Sequence, residues 1–344
     1  MQYRVTIGIP VYNIEKYVSR MIESALSQTF QSIEFLVVDD CGTDGSMEII
    51  KKYQREHPRG KDIRIVRQPK NMGIGNARNR VIDEAQGQYL YYLDGDDYIV
   101  PNTIQLLYDK AIEFDAEYVQ TSFMRVEEFG KEIKESPRCY HSMQFLEKDE
   151  FASWVYQKYN NLEAMTWNIL IRLDVYRKNG LYYQPVYYWE DFSFTMDLPT
   201  YITRAVLLSD ITYYYYCRKG SLSHFQGRNQ ILKDEIERVI CAINQNKDHT
   251  DRLRSKPYFP GRMYKLMMTD FYIVCSIIRN SRIISPSFTK REMRNVMWSP
   301  LTFCEIIRFR YARMVNLLLY TISVLPPWLA IGLIKIIGSR KKLI

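Results

Sequence analysis

The sequence predicts an α/β fold in which a largely parallel sheet lies between two layers of helices. Short apolar runs alternate with amphipathic segments in the first part of the chain, as in parallel strands joined by helical crossovers. Polar clusters follow three of these runs, where ligands of such sheets usually bind. The 344 residues are too many for one ordinary core, so further structure is expected after the sheet.

Hydrophobic periodicity places the individual elements. The first helix is expected to begin after Asn13, whose side chain is suited to cap it. The expected strands are 4–9, 33–38, 63–67 and 88–93, and the helices between them are 14–25, 46–56 and 75–85. The pattern then loosens, and the helices expected in the rest of the chain are 148–158, 192–200, 228–247 and 262–280.

Composition excludes several classes of protein. The hydrophobic content of 47% excludes a disordered chain. Residues 301–344 carry seven basic side chains and one acid, which is +6 of the formal charge of +8, so a nucleic-acid-binding surface elsewhere is not indicated. Six scattered cysteines without a CxxC pair argue against a zinc cluster or a disulfide scaffold and predict reduced thiols. The first residues read as a strand, not as a secretory signal peptide.

Three carboxylates follow the fourth strand in the stretch "YLYYLDGDDYIVP". Asp94, Asp96 and Asp97 occupy three of four successive positions. Mg²⁺ is usually bound by one or two carboxylates together with substrate phosphates, so the cluster predicts a metal that bridges a diphosphate. The alternative is a solvated acidic turn without a ligand.

Three other segments are ambiguous when each is considered alone. Asp39 and Asp40 could hold a base or a ribose, or cap a helix. The glycines of "NMGIGNARN" match only part of a dinucleotide fingerprint, and Arg78 in that segment could neutralise a phosphate or pair with an acid. In "YYWEDFSF", the acids are suited either to general-base catalysis or to capping a helix, and the tryptophan either to stacking on a sugar or to core packing.

Taken together, the motifs resemble those of the family 2 glycosyltransferases of bacterial surface-polysaccharide synthesis. The resemblance rests on "IGIPVYN", "FLVVDDCGTDGS", "NMGIGNARN", "YLYYLDGDDYIVP" and "WED", in this order, over roughly residues 4–225. It implies the GT-A fold, a Rossmann-like three-layer α/β/α sheet, here with a mostly helical C-terminal extension. The implied domains are a catalytic domain at 1–225 (nucleotide-binding half 1–124, acceptor half 125–225), a helical extension at 226–300 and a tail at 301–344.

The resemblance also implies a role for each matching residue. Asp40 matches the position that binds uracil, and the segment "YYCRKGSLSH" matches one that contacts the diphosphate. Asp96 and Asp97 are the implied ligands of Mg²⁺ or Mn²⁺, Asp191 is the implied catalytic base with Glu190 beside it, and Trp189 is expected to face the acceptor. The residues implied to bind the nucleotide-sugar donor are Pro10, Tyr12, Asn13, Asp39, Asp40, Asn71, Gly73, Arg78, Asp94, Asp96, Arg218, Ser221 and Ser223.

The expected activity is metal-dependent, inverting transfer of a sugar from a UDP-sugar to a glycan or lipid-linked saccharide. Because the Q-x-x-R-W motif of processive synthases is absent, transfer of one sugar per encounter is expected. Cys41–Gly42 and Ile169 depart from the residues usual in the family and leave the acceptor undefined. Two alternatives are a sugar-nucleotidyltransferase, for which a basic glycine-rich loop is missing near the N-terminus, and a membrane-tethered nucleotide- or glycan-binding module without activity.

The tail suggests contact with the inner face of the cell membrane. Residues 314–334 carry no charge, and basic residues lie on both sides of them. This run is long enough to span a bilayer, but Pro326–Pro327 interrupts it. An interfacial or hairpin-like insertion is therefore favoured over a transmembrane span or a helix that packs on the protein.

Overall fold

The computed structural model describes residues 3–129, 132–159, 164–186, 189–217 and 229–344. These residues form two compact units, each built from separate stretches of the chain. The first unit comprises residues within 1–151, 164–185 and 200–224, and the second comprises residues within 152–163, 186–199 and 225–344. The domain boundaries at 225/226 and 300/301 stay a prediction.

The first unit is built on a mixed sheet of ten described strands. Its order is β3-β2-β1-β4-β9-β6-β10-β5, with β7 paired to β6 and β8 paired to β10. The strands are β1 (Tyr3–Val11), β2 (Ile33–Asp39), β3 (Ile63–Arg67), β4 (Gly87–Tyr92), β5 (Tyr98–Ile99), β6 (Tyr118–Phe129), β7 (Glu132–Arg138), β8 (Met143–Phe145), β9 (Ile169–Arg172) and β10 (Ala205–Cys217).

The four strands predicted from the sequence form the parallel half of this sheet. β1 pairs in parallel with both β2 and β4, and β2 pairs in parallel with β3. Every residue of β2 is buried, which explains its nearly continuous apolar run. The helices of the first unit are α1 (Glu15–Leu26), α2 (Ser46–Glu56), α3 (Ile74–Glu84), α4 (Thr103–Glu113) and α6 (Leu173–Asn179). The short helix α5 (Glu150–Ser153) contains residues of both units, because the chain is divided after Phe151.

The other half of the sheet departs from the simple parallel pattern. β9 lies antiparallel between β4 and β6, whereas β10 runs parallel to β6. An aromatic cluster packs against this half of the sheet. Trp167 stacks on Tyr213 with ring centroids 4.6 Å apart and on Tyr215 at 5.0 Å, and it forms a perpendicular pair with Phe123. The cluster supports β10 beneath the acidic loop that follows β4.

The second unit is mostly helical. A π-helical turn at 154–158 follows α5, and a short parallel pair is formed by β11 (Ile231–Leu232) and β12 (Ile284–Ser285). Its helices are α7 (Glu190–Asp197), α8 (Lys233–Asp248), α9 (Phe259–Arg279), α10 (Lys290–Val296), α11 (Phe303–Arg308), α12 (Arg313–Val324) and α13 (Pro327–Arg340).

A fully buried ion pair joins two of these helices. Lys247 Nζ of α8 lies 2.6 Å from an Asp270 carboxylate oxygen of α9, and both side chains are almost completely shielded from solvent. Burial raises the pKa of Asp270 to about 7, although the charge of Lys247 acts in the opposite direction. Lys247 also donates a hydrogen bond to the main-chain oxygen of Trp298 at 2.9 Å, which fixes the segment after α10.

The predicted tail folds into two helices that pack within the second unit. α12 ends at Val324 and α13 begins at Pro327, so the two prolines interrupt the apolar run as expected. Leu319, Ile322 and Ile334 are buried in this packing. Within the part of the chain that the structure describes, no helix combines the length and apolar character needed to cross a membrane.

Candidate active site

Most of the residues singled out in the sequence lie in the loops that follow the four parallel strands. Val11 of β1 is paired in register with Asp39 of β2, and Gly8 of β1 with Tyr92 of β4. The loops that begin at these strand ends therefore leave the sheet at one edge. Pro10 is buried at the end of β1, whereas 45% of the surface of Tyr12 is exposed.

The loops after β1 and β2 bind one another through their side chains. The amide of Thr43 donates to Asn13 Oδ1 at 2.8 Å, and Asp44 accepts the amide of Glu15 at 2.8 Å. Glu15 in turn accepts the amide of Gly45 at 2.9 Å. The expectation that Asn13 caps α1 is wrong, because the N-cap of α1 is Ile14, without a capping side chain, and Asn13 bonds the neighbouring loop instead.

Asp40 organises the loop before α3. Its two carboxylate oxygens accept hydrogen bonds from the amides of Met72 at 2.8 Å and Gly73 at 2.9 Å. Burial raises the pKa of Asp40, although these two amides oppose the shift. Gly73 has a φ of +85°, a left-handed conformation that favours glycine, and its amide also donates to Asn71 Oδ1 at 3.0 Å.

Asp39 has different partners from those of Asp40. Its carboxylate accepts the amide of Cys41 at 2.9 Å and lies 3.4 Å from the guanidinium of the exposed Arg67. Only 8% of the surface of Asp39 is exposed. The two adjacent acids thus shape two different loops, Asp39 the loop after β2 and Asp40 the loop after β3.

The first acid of the acidic loop, defined as residues 94–97, is paired with an arginine. The guanidinium of Arg78 donates to both carboxylate oxygens of Asp94 at 3.0 Å. Arg78 is almost completely buried, and its guanidinium also lies 5.6 Å from the ring centroid of Tyr183. Of the two roles that the sequence left open for Arg78, the structure shows the pairing with an acid.

The last acid of the loop points into the protein. Asp97 is completely buried, and its two carboxylate oxygens accept hydrogen bonds from the Tyr213 hydroxyl at 2.5 Å and the Tyr216 amide at 2.7 Å. Burial raises the pKa of Asp97 well above its ordinary value, and the charges of Asp96 and Asp94 add to the shift. This carboxylate therefore holds the acidic loop on β10.

The third acid, Asp96, keeps a partly exposed side chain, while its backbone is fixed by α1. Arg20 donates to the main-chain oxygen of Asp96 at 2.9 Å. The guanidinium of Arg20 is stacked over two rings, 4.5 Å from the centroid of Tyr98 and 4.3 Å from that of Tyr216. The acidic loop is thus held from α1, α3 and β10.

Two of the three acids of the loop have carboxylate oxygens that are suited to bind a hard divalent cation. Asp94 and Asp96 offer partly exposed carboxylate oxygens, the ligands that Mg²⁺ and Mn²⁺ prefer. Asp97 has both oxygens hydrogen-bonded inside the protein, and its implied role as a metal ligand stays a prediction. Among the residues described, no group of three His, Cys, Asp or Glu side chains is arranged to hold a metal ion.

The implied base and acceptor residues belong to the second unit. Trp189 precedes α7 with a left-handed backbone, and its ring centroid lies 6.0 Å from that of Phe192. Glu190 is buried with 7% of its surface exposed, whereas Asp191 is only partly buried. Arg218, Ser221 and Ser223 lie outside the described residues, so their implied contact with the diphosphate stays a prediction.

Sequence reasoning missed Arg20, Tyr213 and Tyr216, which fix the acidic loop. The run of four tyrosines at 213–216 carries no sign of which hydroxyl or amide meets Asp97. Arg20 lies among the buried residues Val18 and Met21 on α1, a position where a helical pattern predicts only a boundary residue.

Comparison with known proteins identifies the chain. A family model described as glycosyl transferase family 2 matches residues 6–180, about half of the sequence. The chain belongs to this family. The resemblance noted in the sequence is thereby confirmed, and so is the fold, because GT-A transferases are found among the similar solved structures.

A curated relative of this family 2 glycosyltransferase is the cholesterol galactosyltransferase of Borreliella burgdorferi. The two are 28% identical over 228 residues, which cover 64% of this chain and 62% of the relative. The chain spans less than two thirds of the length of the first curated relatives that it matches.

Two solved structures share the fold of this family 2 glycosyltransferase at low sequence identity. TarS 1–349 of S. aureus, in complex with UDP-GlcNAc, has a TM-score of 0.57 at 18% identity and covers 93% of this chain and 90% of its own. The mannosyltransferase PcManGT of Pyrobaculum calidifontis, in complex with GDP-Man and Mn²⁺, has a TM-score of 0.53 at 14% identity. That alignment covers 84% of this chain and 77% of the mannosyltransferase.

The contact between Tyr213 and Asp97 should contribute measurably to stability. Tyr213→Phe keeps the ring stacked on Trp167 but leaves an Asp97 oxygen without its hydroxyl donor. We expect the free energy of unfolding to fall by about 1–3 kcal/mol, the cost of leaving a buried polar group unsatisfied. Urea denaturation at constant pH measures the change.

Tyr214→Phe is the matched control for this substitution. Tyr214 is the next residue of β10, is partly exposed and stacks on Tyr98. Its loss of a hydroxyl should change the unfolding free energy by less than about 0.5 kcal/mol. Equal losses in the two variants would contradict the role given to the Asp97 hydrogen bond.

Proposed function

We propose that the chain transfers a sugar from a nucleotide sugar, most specifically a UDP-sugar, to a hydroxyl group of a glycan or lipid-linked saccharide, with inversion at the anomeric carbon. The observation that carries this proposal is the acidic loop, which presents Asp94 and Asp96 at the same sheet edge as the loops of Asp39 and Asp40. Two structural neighbours bind nucleotide sugars, UDP-GlcNAc in one and GDP-Man in the other, which supports this donor class.

Residues of three loops would bind different parts of the nucleotide-sugar donor. Asp40 accepts two amides, but each carboxylate oxygen has a second lone pair that can accept an N–H group of the base. Tyr12 exposes an aromatic face beside this position, and Asn13 is held by the loop after β2. Arg78 neutralises Asp94, which limits the repulsion that a diphosphate meets at this edge.

We assign metal binding to Asp96, assisted by Asp94, rather than to Asp97. The Mn²⁺ of the mannosyltransferase complex supports a divalent cation in this fold. A bound Mg²⁺ or Mn²⁺ would stabilise the negative charge that develops on the leaving diphosphate. Asp97 keeps its oxygens on Tyr213 and Tyr216 and so maintains the loop backbone from which Asp96 projects.

Asp191 is the proposed general base. A carboxylate oxygen of Asp191 accepts the proton of the acceptor hydroxyl while the hydroxyl oxygen bonds to the anomeric carbon. The bond between that carbon and the diphosphate oxygen breaks at the same time, so the nucleoside diphosphate leaves with the bonding electrons. The partial exposure of Asp191 supports this choice over the buried Glu190.

The proposed acceptor lies at a membrane, and α12 and α13 present the surface that would reach it. Several of their apolar side chains are exposed, among them Met314 at 70%, Val324 at 58% and Trp328 at 64%. Basic residues lie on both sides of the apolar run in the sequence, which suits the anionic lipid of an inner membrane face. The name of the Borreliella relative, which acts on cholesterol, supports a lipid acceptor.

The donor and the metal can be tested together by thermal unfolding. We expect one UDP-sugar of a panel of UDP- and GDP-sugars to raise the melting temperature further in the presence of MnCl₂. Ligand at 100 times its dissociation constant stabilises by about 2.7 kcal/mol. Asp96→Asn should lose the manganese-dependent part, whereas Asp109→Asn, at an exposed position on α4, should keep it.

Product analysis separates this function from the alternative enzyme class. Release of the nucleoside diphosphate from a nucleotide sugar and an acceptor supports glycosyl transfer, whereas release of pyrophosphate from a nucleoside triphosphate and a sugar 1-phosphate would indicate a nucleotidyltransferase. A full manganese-dependent shift in Asp96→Asn would overturn the metal assignment.

The base is tested by two matched substitutions in one turn of α7. Asp191→Asn should lower kcat for transfer by about 10²–10⁴, the usual effect of losing a general base, while leaving the donor-induced thermal shift unchanged. Glu190→Gln should keep most of the activity. If Glu190→Gln is the inactive variant and Asp191→Asn is active, the two roles are reversed.

Membrane contact is tested with sedimented vesicles. Replacing Arg340, Lys341 and Lys342 by Gln should weaken binding to anionic vesicles by about 1 kcal/mol per charge and barely change binding to neutral ones. Trp328→Ser should weaken binding to both vesicle types, whereas Ile112→Ser, at a residue of α4 that is 52% exposed, should not. A wild-type protein that ignores both vesicle types would refute the attachment.

A further inference from the structure

The helix that carries the proposed base is short and depends on its neighbours. α7 has eight residues, and its first turn contains Glu190 and Asp191. Isolated helices of this length are unstable in water because the first turn is costly to form. The position of Asp191 therefore depends on the residues that α7 contacts, several of which belong to the second unit.

Asn246 of α8 binds the middle of α7 through two hydrogen bonds. Asn246 Nδ2 donates to the main-chain oxygen of Ser193 at 3.0 Å, and Asn246 Oδ1 accepts the Ser193 hydroxyl at 2.9 Å. Asn246 and Ser193 are 3% and 4% exposed, so water does not compete for these bonds. Ser193 lies only two residues after Asp191, so these hydrogen bonds are made within one helical turn of the proposed base.

The end of α7 is fixed by charged partners. Asp197 accepts hydrogen bonds from the fully buried Arg262 of α9 and, at 2.8 Å, pairs with His249 Nδ1. Burial alone would raise the pKa of Asp197, but the bond to His249 and the charge of Arg262 outweigh it and lower the pKa. The Tyr156 hydroxyl donates to the main-chain oxygen of Met196 at 2.6 Å and satisfies a carbonyl of the last turn.

Arg262 connects the contacts of Asn246 and Asp197 into one hydrogen-bonded cluster. Its guanidinium also donates to the main-chain oxygen of Asn246 at 2.9 Å and to Thr250 Oγ1 at 3.2 Å. Buried ion pairs contribute little net stability compared with apolar contacts, because removing charges from water is costly. Directional hydrogen bonds do, however, restrict rotation and sliding of a short helix more closely than apolar packing does.

We infer that Asn246 and Arg262 are positioning residues for the base on α7. The inference rests on the proposed function, because it assigns a purpose to the contacts of the helix that carries Asp191. It gives α8 and α9 of the helical extension a part in sugar transfer without any contact to substrate. A shift of about 1 Å in a reacting group can lower a rate by about 10²-fold, so loss of the hydrogen bonds that Asn246 and Arg262 make to α7 should reduce turnover.

The first test compares Asn246→Ala with Asn316→Ala in the full-length chain. Asn316 is a matched control because it is also a buried asparagine of the second unit, and its Nδ2 donates to the main-chain oxygen of Pro260 at 3.1 Å. Hydrogen–deuterium exchange of peptides that cover 190–197 should become at least about tenfold faster in Asn246→Ala. In Asn316→Ala, the exchange of α7 should match that of the wild type even if the melting temperature falls by the same amount.

The second test measures transfer with the nucleotide sugar that gives the largest thermal shift. Asn246→Ala should lower kcat by about 10–100-fold and leave KM for that donor within about twofold. Arg262→Lys, which keeps the charge beside Asp197 but loses the forked donors, should fall between the wild type and Asn246→Ala. Asn316→Ala should keep the wild-type kcat.

The outcomes separate the inference from the function on which it rests. Normal α7 exchange and normal kcat in Asn246→Ala would overturn the positioning role, and so would equal losses of kcat in Asn246→Ala and Asn316→Ala. Normal transfer by Asp191→Asn would instead overturn the proposed base, whatever Asn246→Ala shows.

Discussion

The geometry of the acidic loop depends on the hydrogen bonds that the buried carboxylate of Asp97 accepts. Its two oxygens are satisfied by a hydroxyl and an amide of β10, so the loop after β4 is attached to a strand three places away in the sheet. A carboxylate without those donors would be costly at this depth. The hydrogen bonds therefore select one loop conformation, and that conformation leaves the side chain of Asp96 at the edge.

Placing three acids in four residues also requires positive charge close by. The two arginines that supply it act in different ways. Arg78 neutralises Asp94 directly, whereas Arg20 binds the backbone of Asp96 and is stacked between two tyrosine rings. Arg20 thus adds positive potential without occupying a carboxylate. One acid is compensated by charge, one is buried and satisfied by hydrogen bonds, and the third keeps a partly exposed side chain on a backbone that Arg20 holds.

The sequence predicted the parallel half of the fold well, because buried strands and amphipathic helices leave strong periodic patterns. β3 and α2 lie at the predicted positions 63–67 and 46–56. For the site, the sequence indicated the loops and a role for each residue, but not the contacts that hold these side chains in place. Asn13 has the chemistry of a cap and serves another loop, and Asp97 has the chemistry of a metal ligand and serves a strand. Both choices depend on partners more than 25 residues away in sequence, which local patterns cannot reveal.

The discontinuous second unit has a consequence for how the chain folds as it is synthesised. Ser193 and Asn246 are 53 residues apart, so α7 leaves the ribosome well before α8, which carries Asn246. At about 5–20 residues per second, the delay is about 3–10 s, and α7 has no stable partner from α8 or α9 in that interval. If Asp191 of α7 is the base as proposed, transfer would begin only late in synthesis, after the sheet and its acidic loop have had time to form.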